Sequence, residues 1–178
     1  MDKQATSGER LTHSARRSMD SQMSCTIRPA TETDGDAMLA LMPRLSEFEL
    51  PESRVPEHLW RDDAALLREW IAGNADDCFV HVAEDDAGVI QGLTLVRLRP
   101  EALSHEPSSH LEAIAVAKEA EGKGIASALL ATAEEEAVRQ GARTMTLHVI
   151  STNTRARRFY ERFGYDGEMI RYIKPIAN

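Results

Sequence analysis

The residues that decide the fold are Leu111-Glu112-Ala113-Ile114-Ala115-Val116, followed after a short gap by Glu121-Gly122-Lys123-Gly124-Ile125-Ala126. The first run predicts a β-strand, the second a glycine turn, and the apolar positions after it a helix. Glycines let a backbone approach a phosphate closely, and a helix N-terminus offers unpaired N–H groups and the positive end of its dipole. A GxG turn also closes ordinary strand–helix junctions, and its spacing fits neither a Walker A loop nor a Rossmann fingerprint. The stretch therefore indicates an anion site, which the surrounding sequence must identify.

The remaining chain alternates between strand and helix patterns. The predicted strands are residues 25–29, 78–84, 89–98, 111–116 and 143–149, with a hairpin turn at 85–88. A first helix begins at Thr33 or Asp34 and is kinked by Pro43, and a second covers about residues 62–71. The helix after the glycine turn ends near Gly141 and buries one face, which consists of Ala126, Leu129, Leu130, Ala133 and Ala137.

A second motif follows residues 143–149. It consists of Asn153, Ala156, Phe159, Tyr160, Glu161, Phe163, Gly164 and Tyr165. Together with the strand and glycine turn, it resembles the signatures of the GNAT superfamily of acetyl-CoA-dependent N-acetyltransferases. The resemblance covers about residues 25–178 and includes Tyr172-Ile173-Lys174-Pro175, which resembles a final GNAT strand. It implies one mixed α/β domain whose central mixed sheet has six or seven strands, with helices on both faces.

The resemblance also implies that acetyl-CoA is the acetyl donor and binds between residues 111–116 and 143–149, which run parallel. Glu121 departs from the family pattern, because Gln or Arg is usual there, and its negative charge borders the expected diphosphate. Backbone N–H donors can still bind that group. The residues implied in cofactor binding are Ile114, Ala115, Val116, Glu121, Gly122, Lys123, Gly124, Ile125, Ala126, Asn153, Ala156 and Arg158.

The expected reaction needs a base, because an alkylammonium with a pKa of about 10.4 must lose a proton before it can attack a thioester. Glu112 is the predicted base, acting directly or through a water, and His110 is the alternative. Strand alternation predicts that Glu112 shares a side with His110, Ile114 and Val116, where burial would raise its pKa. The backbone of Ile114 or Val116 is implied as oxyanion donor.

The thiolate that leaves acetyl-CoA needs an acid, and the resemblance assigns this role to Tyr160. Packing in the core is the alternative for Tyr160. Four arginines crowd the same short segment, and a phosphate-rich cofactor would explain them. An ordinary solvated helix face paired with Glu161 and Glu168 is the alternative explanation. The four arginines are Arg155, Arg157, Arg158 and Arg162.

Composition excludes several other classes. A net charge of -8 argues against nucleic-acid binding, and the six histidines and two cysteines lack metal-ligand spacing. No apolar run is long enough for a membrane span or a signal peptide, so we expect a cytoplasmic protein. Residues 1–24 lack hydrophobic periodicity and predict a disordered tail before a domain at 25–178.

The acceptor is expected to be a small-molecule primary amine. A protein or peptide N-acetyltransferase and a non-catalytic acyl-CoA-binding module are the alternatives, and a homodimer is compatible with the sequence. A cationic amine could contact an aromatic and acidic segment, although Trp60 and Trp70 could equally be core residues. The acceptor candidates are Glu47, Phe48, Glu49, Trp60 and Asp62.

Overall fold

Strands and helices alternate along residues 25–176, the part of the chain that the computed structural model describes. The strands are β1 (Cys25–Pro29), β2 (Cys78–Asp85), β3 (Ile90–Pro100), β4 (Pro107–Val116) and β5 (Thr144–Leu147). The α-helices are α1 (Gly35–Leu41), α2 (Arg61–Ile71), α3 (Ile125–Arg139) and α4 (Thr154–Arg162). Short 3-10 helices cover Glu32–Asp34, Met42–Ser46, Pro56–Leu59 and Lys118–Ala120. The tail predicted for residues 1–24 lies outside the described residues.

The five strands form one sheet in the order β1-β2-β3-β4-β5. The pairs from β1 to β4 are antiparallel, and β4 runs parallel to β5 with Ser108 opposite Thr144. The predicted mixed α/β domain with its hairpin and its parallel pair is therefore confirmed.

The predicted number of six or seven strands was wrong, because residues 25–176 form five. The expected final strand at 172–175 lies in a segment, residues 165–176, that adopts no regular secondary structure. A strand requires a backbone partner along its length as well as β-forming side chains, and the described residues provide none for this segment. Its large apolar side chains are consequently exposed: Met169, Ile170, Tyr172, Ile173 and Ile176.

Helices cover both faces of the sheet, as predicted. On one face, Met38 of α1 and Leu67 of α2 pack against Leu93 and Leu95 of β3. On the other face, Leu130 of α3 packs with Val96 and Leu111, and aromatic residues of α4 join this cluster. Complete burial of such a side chain stabilises the fold by about 1.5–3 kcal/mol, so these two layers hold the sheet in place.

Two helix ends follow their sequence signals. α1 stops at Leu41 and the chain continues as the 3-10 helix Met42–Ser46, because Pro43 has no N–H for an α-helical bond. At the end of α3, Gly141 adopts φ +90°, and the N–H of Ala142 donates to the carbonyl of Ala137 at 2.9 Å. This is the glycine C-cap that the sequence predicts.

β4 contains a β-bulge at Glu112. Leu95 of β3 pairs with Ala113, whereas the next residue, Val96, pairs with Leu111. Glu112 is therefore the extra residue without a partner in β3. Bulges disrupt the ladder locally and redirect a side chain, and they are frequent next to active sites.

The bulge reverses the sides of the residues that follow it. Ile114 and Val116 pack on the α3 face, whereas Ala113 packs on the face covered by α1 and α2. The predicted alternation, with Glu112 on the side of Ile114 and Val116, was therefore wrong. The carboxylate of Glu112 instead lies 4.0 Å from the ring of His110, the one predicted neighbour that it keeps.

Candidate active site

The sheet opens where the pairing of β4 with β5 stops. Leu111 and Leu147 form the last pair, and β5 ends there, whereas β4 continues to Val116. The parallel contact predicted between residues 111–116 and 143–149 is thus confined to 108–111 and 144–147. Beyond it, residues 112–116 have no strand partner on the β5 side within the described part of the chain. An unpaired strand edge can bind an extended ligand through its backbone.

The glycine turn adjoins this opening and leads directly into α3. Gly122 and Gly124 adopt φ +76° and +80°, the left-handed region that suits glycine. A Cβ at either position would meet no atom within 4 Å, so open space surrounds the turn. α3 has no side-chain cap at Gly124, and the first N–H groups of a helix have no intrahelical partner. The turn therefore has the shape and the donors that a diphosphate requires.

Two arginines compensate the charge of Glu121. Nη1 of Arg155 in α4 lies 2.8 Å from one carboxylate oxygen of Glu121, and Arg44 contacts the other. Hydrogen bonding and attraction from Arg155, followed by Arg44, lower the pKa of Glu121. The Nε of Arg44 also donates to the carbonyl of Val116 at 3.0 Å, and its guanidinium contacts Glu47. The carboxylate that departs from the family pattern is thus neutralised by its surroundings.

Sequence reasoning could not identify Arg44 as a neighbour of this turn. Arg44 and Glu121 are separated by 77 positions, and no local pattern links them. A second long-range contact, from the Thr152 hydroxyl to the carbonyl of Glu49 at 2.7 Å, brings the same segments together. The turn, the Met42–Ser46 region and the start of α4 therefore meet at one place.

α4 places the predicted cofactor residues in different environments. The side chain of Asn153 accepts the N–H of Ala156 at 3.0 Å and caps the helix. Arg158 is exposed and has no ion pair with any residue between 25 and 176. Of the four arginines, Arg155 contacts the turn, while Arg157 lies 4.0 Å from Glu161. The solvated-face explanation therefore holds for Arg157, whereas the explanation by a phosphate-rich cofactor stays a prediction.

Glu112 is a mostly buried carboxyl group with basic neighbours. Its side chain is 17% exposed, and its oxygens lie 3.9 Å from Nη1 of Arg99 and 4.0 Å from Nε2 of His110. Burial raises the pKa of Glu112, and the charges of Arg99 and Arg97 oppose that rise. A carboxyl with a raised pKa is a stronger proton acceptor than an exposed glutamate, which suits a general base.

His110, the alternative base, is buried next to Glu112. Burial, helped by the charge of Arg99, lowers the pKa of His110 to about 4. Its Nδ1 lies 2.7 Å from the hydroxyl of Thr146, and its ring lies 4.7 Å from the ring of His148. His110 is therefore neutral near pH 7 and a weaker proton acceptor than an ordinary histidine.

Asp63 is a carboxyl group that sequence reasoning missed. It is half-buried in α2, and burial followed by the negative charge of Glu112 raises the pKa of Asp63 to about 7. Asp62, the predicted acceptor contact, is exposed and pairs with Arg61 at 3.3 Å. Helical spacing could have identified Asp63, because it lies four residues before the buried Leu67 and therefore on the inward face of α2.

The other predicted acceptor residues divide between core and surface. Trp60 and Trp70 both pack against the cluster formed by α1, α2 and the sheet, which supports the alternative that they are core residues. The side chain of Glu47 contacts Arg44. Phe48 is half-buried.

Tyr160 lies in α4 on the α3 side of the sheet. Its ring packs against Phe159 and Tyr165, with centroids 5.3 Å and 5.8 Å away, and burial raises the pKa of Tyr160 to about 12. The hydroxyl of Tyr165 donates to Glu134 at 2.8 Å, whereas that of Tyr160 bonds to no described residue. The ring of Tyr160 is therefore fixed by packing, and its proton remains available.

Other reactive groups are poorly placed for chemistry. Cys25 and Cys78 are free, and burial raises the pKa of Cys78 to about 12. Within residues 25–176, no group of three His, Cys, Asp or Glu side chains could hold a metal ion. No helix in that range is long and apolar enough to cross a bilayer.

The sequence and the fold of this chain are similar to those of known acetyltransferases. An aminoalkylphosphonate N-acetyltransferase from Salmonella typhimurium is 29% identical over 162 residues, which span 90% of this chain and 97% of that protein. A solved protein from Pyrococcus furiosus with a provisional acetyl transferase designation has a TM-score of 0.69 at 26% identity, covering 86% of this chain and all of that one. The aminoglycoside N-acetyltransferase AAC(6')-Iy, solved with CoA, has a TM-score of 0.68 at 21% identity, covering 87% and 97% of the two chains.

The model of the Acetyltransferase (GNAT) family matches residues 42–165, which include the opening, the glycine turn and α4. This range contains the uncapped N-terminus of α3 and the open glycine turn, whose backbone N–H groups suit a diphosphate, so the structure fits the acetyl-CoA that this family uses. The protein is an acyltransferase of the N-acetyltransferase type, and it belongs to the Acetyltransferase (GNAT) family.

Proposed function

We propose that this enzyme transfers the acetyl group of acetyl-CoA to the primary amine of a small molecule, by direct attack while both substrates are bound. The observation that carries the proposal is the position of Glu112. This mostly buried carboxyl lies where β4 separates from β5, on the strand that leads into the glycine turn. A proton acceptor and an anion site on one strand can bring an amine and a thioester together, and such proximity supplies much of the rate.

Glu112 accepts the proton of the acceptor ammonium, directly or through a water. Its raised pKa and buried position support this role. His110 is a weaker alternative, because its pKa of about 4 makes its neutral ring a poor proton acceptor. His110 instead supports Glu112 by filling the space beside it.

The cofactor is held mainly by the main chain. Bound acetyl-CoA supplies the activated acetyl group. The N–H groups of the turn and of the first helical turn donate to its diphosphate. The free edge of β4 lines the opening and offers backbone donors near the reacting carbonyl. The residues in these roles are Ile114, Ala115, Val116, Glu121, Gly122, Lys123, Gly124, Ile125 and Ala126, with Asn153, Ala156 and Arg158 from the second motif.

Tyr160 donates the proton that the departing thiol group needs. A phenol with a pKa of about 12 keeps its proton at neutral pH, and its hydroxyl has no competing partner among the described residues. The aromatic packing of Phe159 and Tyr165 fixes the ring orientation. Tyr160 can therefore act as an acid only after charge develops beside it.

A small-molecule acceptor is supported by the Salmonella relative, whose name specifies an aminoalkylphosphonate. The test is a CoA-release assay with purified protein, acetyl-CoA and a panel of amino acids, aminophosphonates, aminoglycosides, polyamines and peptides, with product mass measured. Acetylation of a small amine is expected. Acetylation of peptides alone would contradict the small-molecule assignment, and CoA binding without turnover on any acceptor would contradict catalysis. A homodimer and a cytoplasmic location stay predictions from the sequence.

A further inference from the structure

Two arginines extend from the end of β3 beside Glu112. Leu93 and Leu95 point to the α1–α2 face, so side-chain alternation places Arg97 and Arg99 on that face too. Arg97 lies opposite His110 of β4, and the guanidinium of Arg99 reaches to 3.9 Å from Glu112. The proposed base therefore has a permanent cation beside it.

The two arginines have different partners. The Nε of Arg97 donates to the carboxylate of Asp77 at 2.6 Å, so its charge is already balanced. The 3.9 Å contact of Arg99 with Glu112 is too long for a hydrogen bond, and its side chain is 44% exposed. Arg99 makes no hydrogen bond with any residue of the described range 25–176. The guanidinium of Arg99 is therefore partly exposed beside Glu112 and lacks a hydrogen-bonded carboxylate partner within that range.

This cation has a cost for catalysis, because it opposes the rise in the pKa of Glu112 and repels an incoming ammonium group. An acceptor that carries only positive charge gains nothing from Arg99. An acceptor with an anionic group close to its amine removes the conflict, since the guanidinium can bind the anion through two parallel N–H groups while the amine lies at Glu112.

We propose that Arg99 binds an anionic group of the acceptor, a phosphonate or a carboxylate, and that the acceptor is a short amine with this group two or three bonds from its nitrogen. The short spacer follows from the 3.9 Å between Arg99 and Glu112. The inference rests on the proposed acetyl transfer at Glu112.

Four matched amines test this proposal in the CoA-release assay with the full chain at saturating acetyl-CoA. They are 2-aminoethylphosphonate, β-alanine, ethanolamine and ethylenediamine, which carry a phosphonate, a carboxylate, a neutral hydroxyl and a second amine. We expect kcat/KM to be highest for one of the two anionic amines, and the better one identifies the anion. Ethylenediamine should be the poorest acceptor.

Arg99→Gln should raise KM for the preferred anionic amine at least about ten- to a hundredfold, because this is the range for one hydrogen bond to a charged group and the guanidinium can make two. It should not lower kcat/KM for ethanolamine and should raise it modestly, because the repulsion of the incoming ammonium is removed, and Arg99→Lys should restore part of the preference for the anionic amine. Arg97→Gln is the matched control on the same face, and it should keep the ratio of anionic to neutral acceptor.

Equal use of all four amines would overturn the role of Arg99 while leaving the proposed function intact. So would a loss in Arg99→Gln that is the same for every acceptor, because that indicates a structural role. If the enzyme releases no CoA with any of the four amines or with any other acceptor, the proposed function fails and this inference fails with it.

Discussion

Replacement of Gly124 by alanine tests the cofactor site most directly. An L-residue at φ +80° is strained, and the cost is about 1–2 kcal/mol. No atom lies within 4 Å of the new Cβ, so no clash adds to this strain. For a domain of this size, each kcal/mol lowers Tm by about 2–4 °C, so a loss of roughly 2–8 °C is expected by differential scanning fluorimetry.

The same methyl group should weaken CoA binding separately from its effect on stability. It would stand in the open space where the proposed diphosphate approaches the N–H groups of α3. Loss of one hydrogen bond to a charged group corresponds to a roughly ten- to hundredfold higher Kd, measurable by isothermal titration calorimetry.

Gly141 provides the matched control, because it lies at the opposite end of α3 with φ +90°, and a Cβ added there would also meet no atom within 4 Å. Gly141→Ala should lower Tm by a similar amount and leave the Kd for CoA unchanged. If both variants bound CoA as tightly as the wild type, the glycine turn could not be the diphosphate site.

Four further predictions concern single side chains. Glu112→Gln should lower kcat about 10²–10⁴-fold and leave the Kd for CoA unchanged. In the wild type, kcat/KM should decrease as the pH is lowered, with an apparent pKa above the ordinary 4.5 of a glutamate, because the base must be ionised. A profile that does not change with pH would exclude Glu112 as the base. Tyr160→Phe should lower turnover and change Tm little, since its hydroxyl bonds to no described residue; full activity would remove it as the acid. Arg155→Gln should weaken CoA binding by roughly three- to fivefold at low salt and less at high salt, as for an exposed ion pair; an effect independent of salt would contradict this. Asp63→Asn should raise Tm much more at pH 8 than at pH 4, because the carboxyl ionises in the unfolded chain above its ordinary pKa of 3.8 but in the folded protein only near its raised pKa of about 7, so its cost to stability grows between these two values and is complete above them. Equal Tm changes at both pH values would contradict the raised pKa.

Local patterns predicted much of the fold. The strand, glycine turn and helix around Gly124 and the C-cap at Gly141 depend on neighbouring residues, so their signals lie within short windows of sequence. The break at Pro43 likewise follows from the chemistry of one residue. Such features need no knowledge of distant contacts.

The errors have a common physical origin in long-range pairing. Whether residues 172–175 form a strand depends on a partner, not on their composition. The bulge at Glu112 depends on the register of β3 against β4, and it changed which face the later residues occupy. The contact of Arg44 with Glu121 likewise joins segments that no local pattern connects.

The balance of charge around Glu121 explains why the main chain must supply the affinity for a diphosphate. Arg44 contacts both Glu47 and Glu121, and Arg155 pairs with Glu121, so two cations meet two carboxylates and the group is neutral. Such a group neither attracts nor repels an anion strongly. The uncapped N-terminus of α3 and the positive end of its dipole must therefore attract the diphosphate. A family position usually held by Gln or Arg can thus tolerate a carboxylate, provided that Gly124 keeps the backbone accessible.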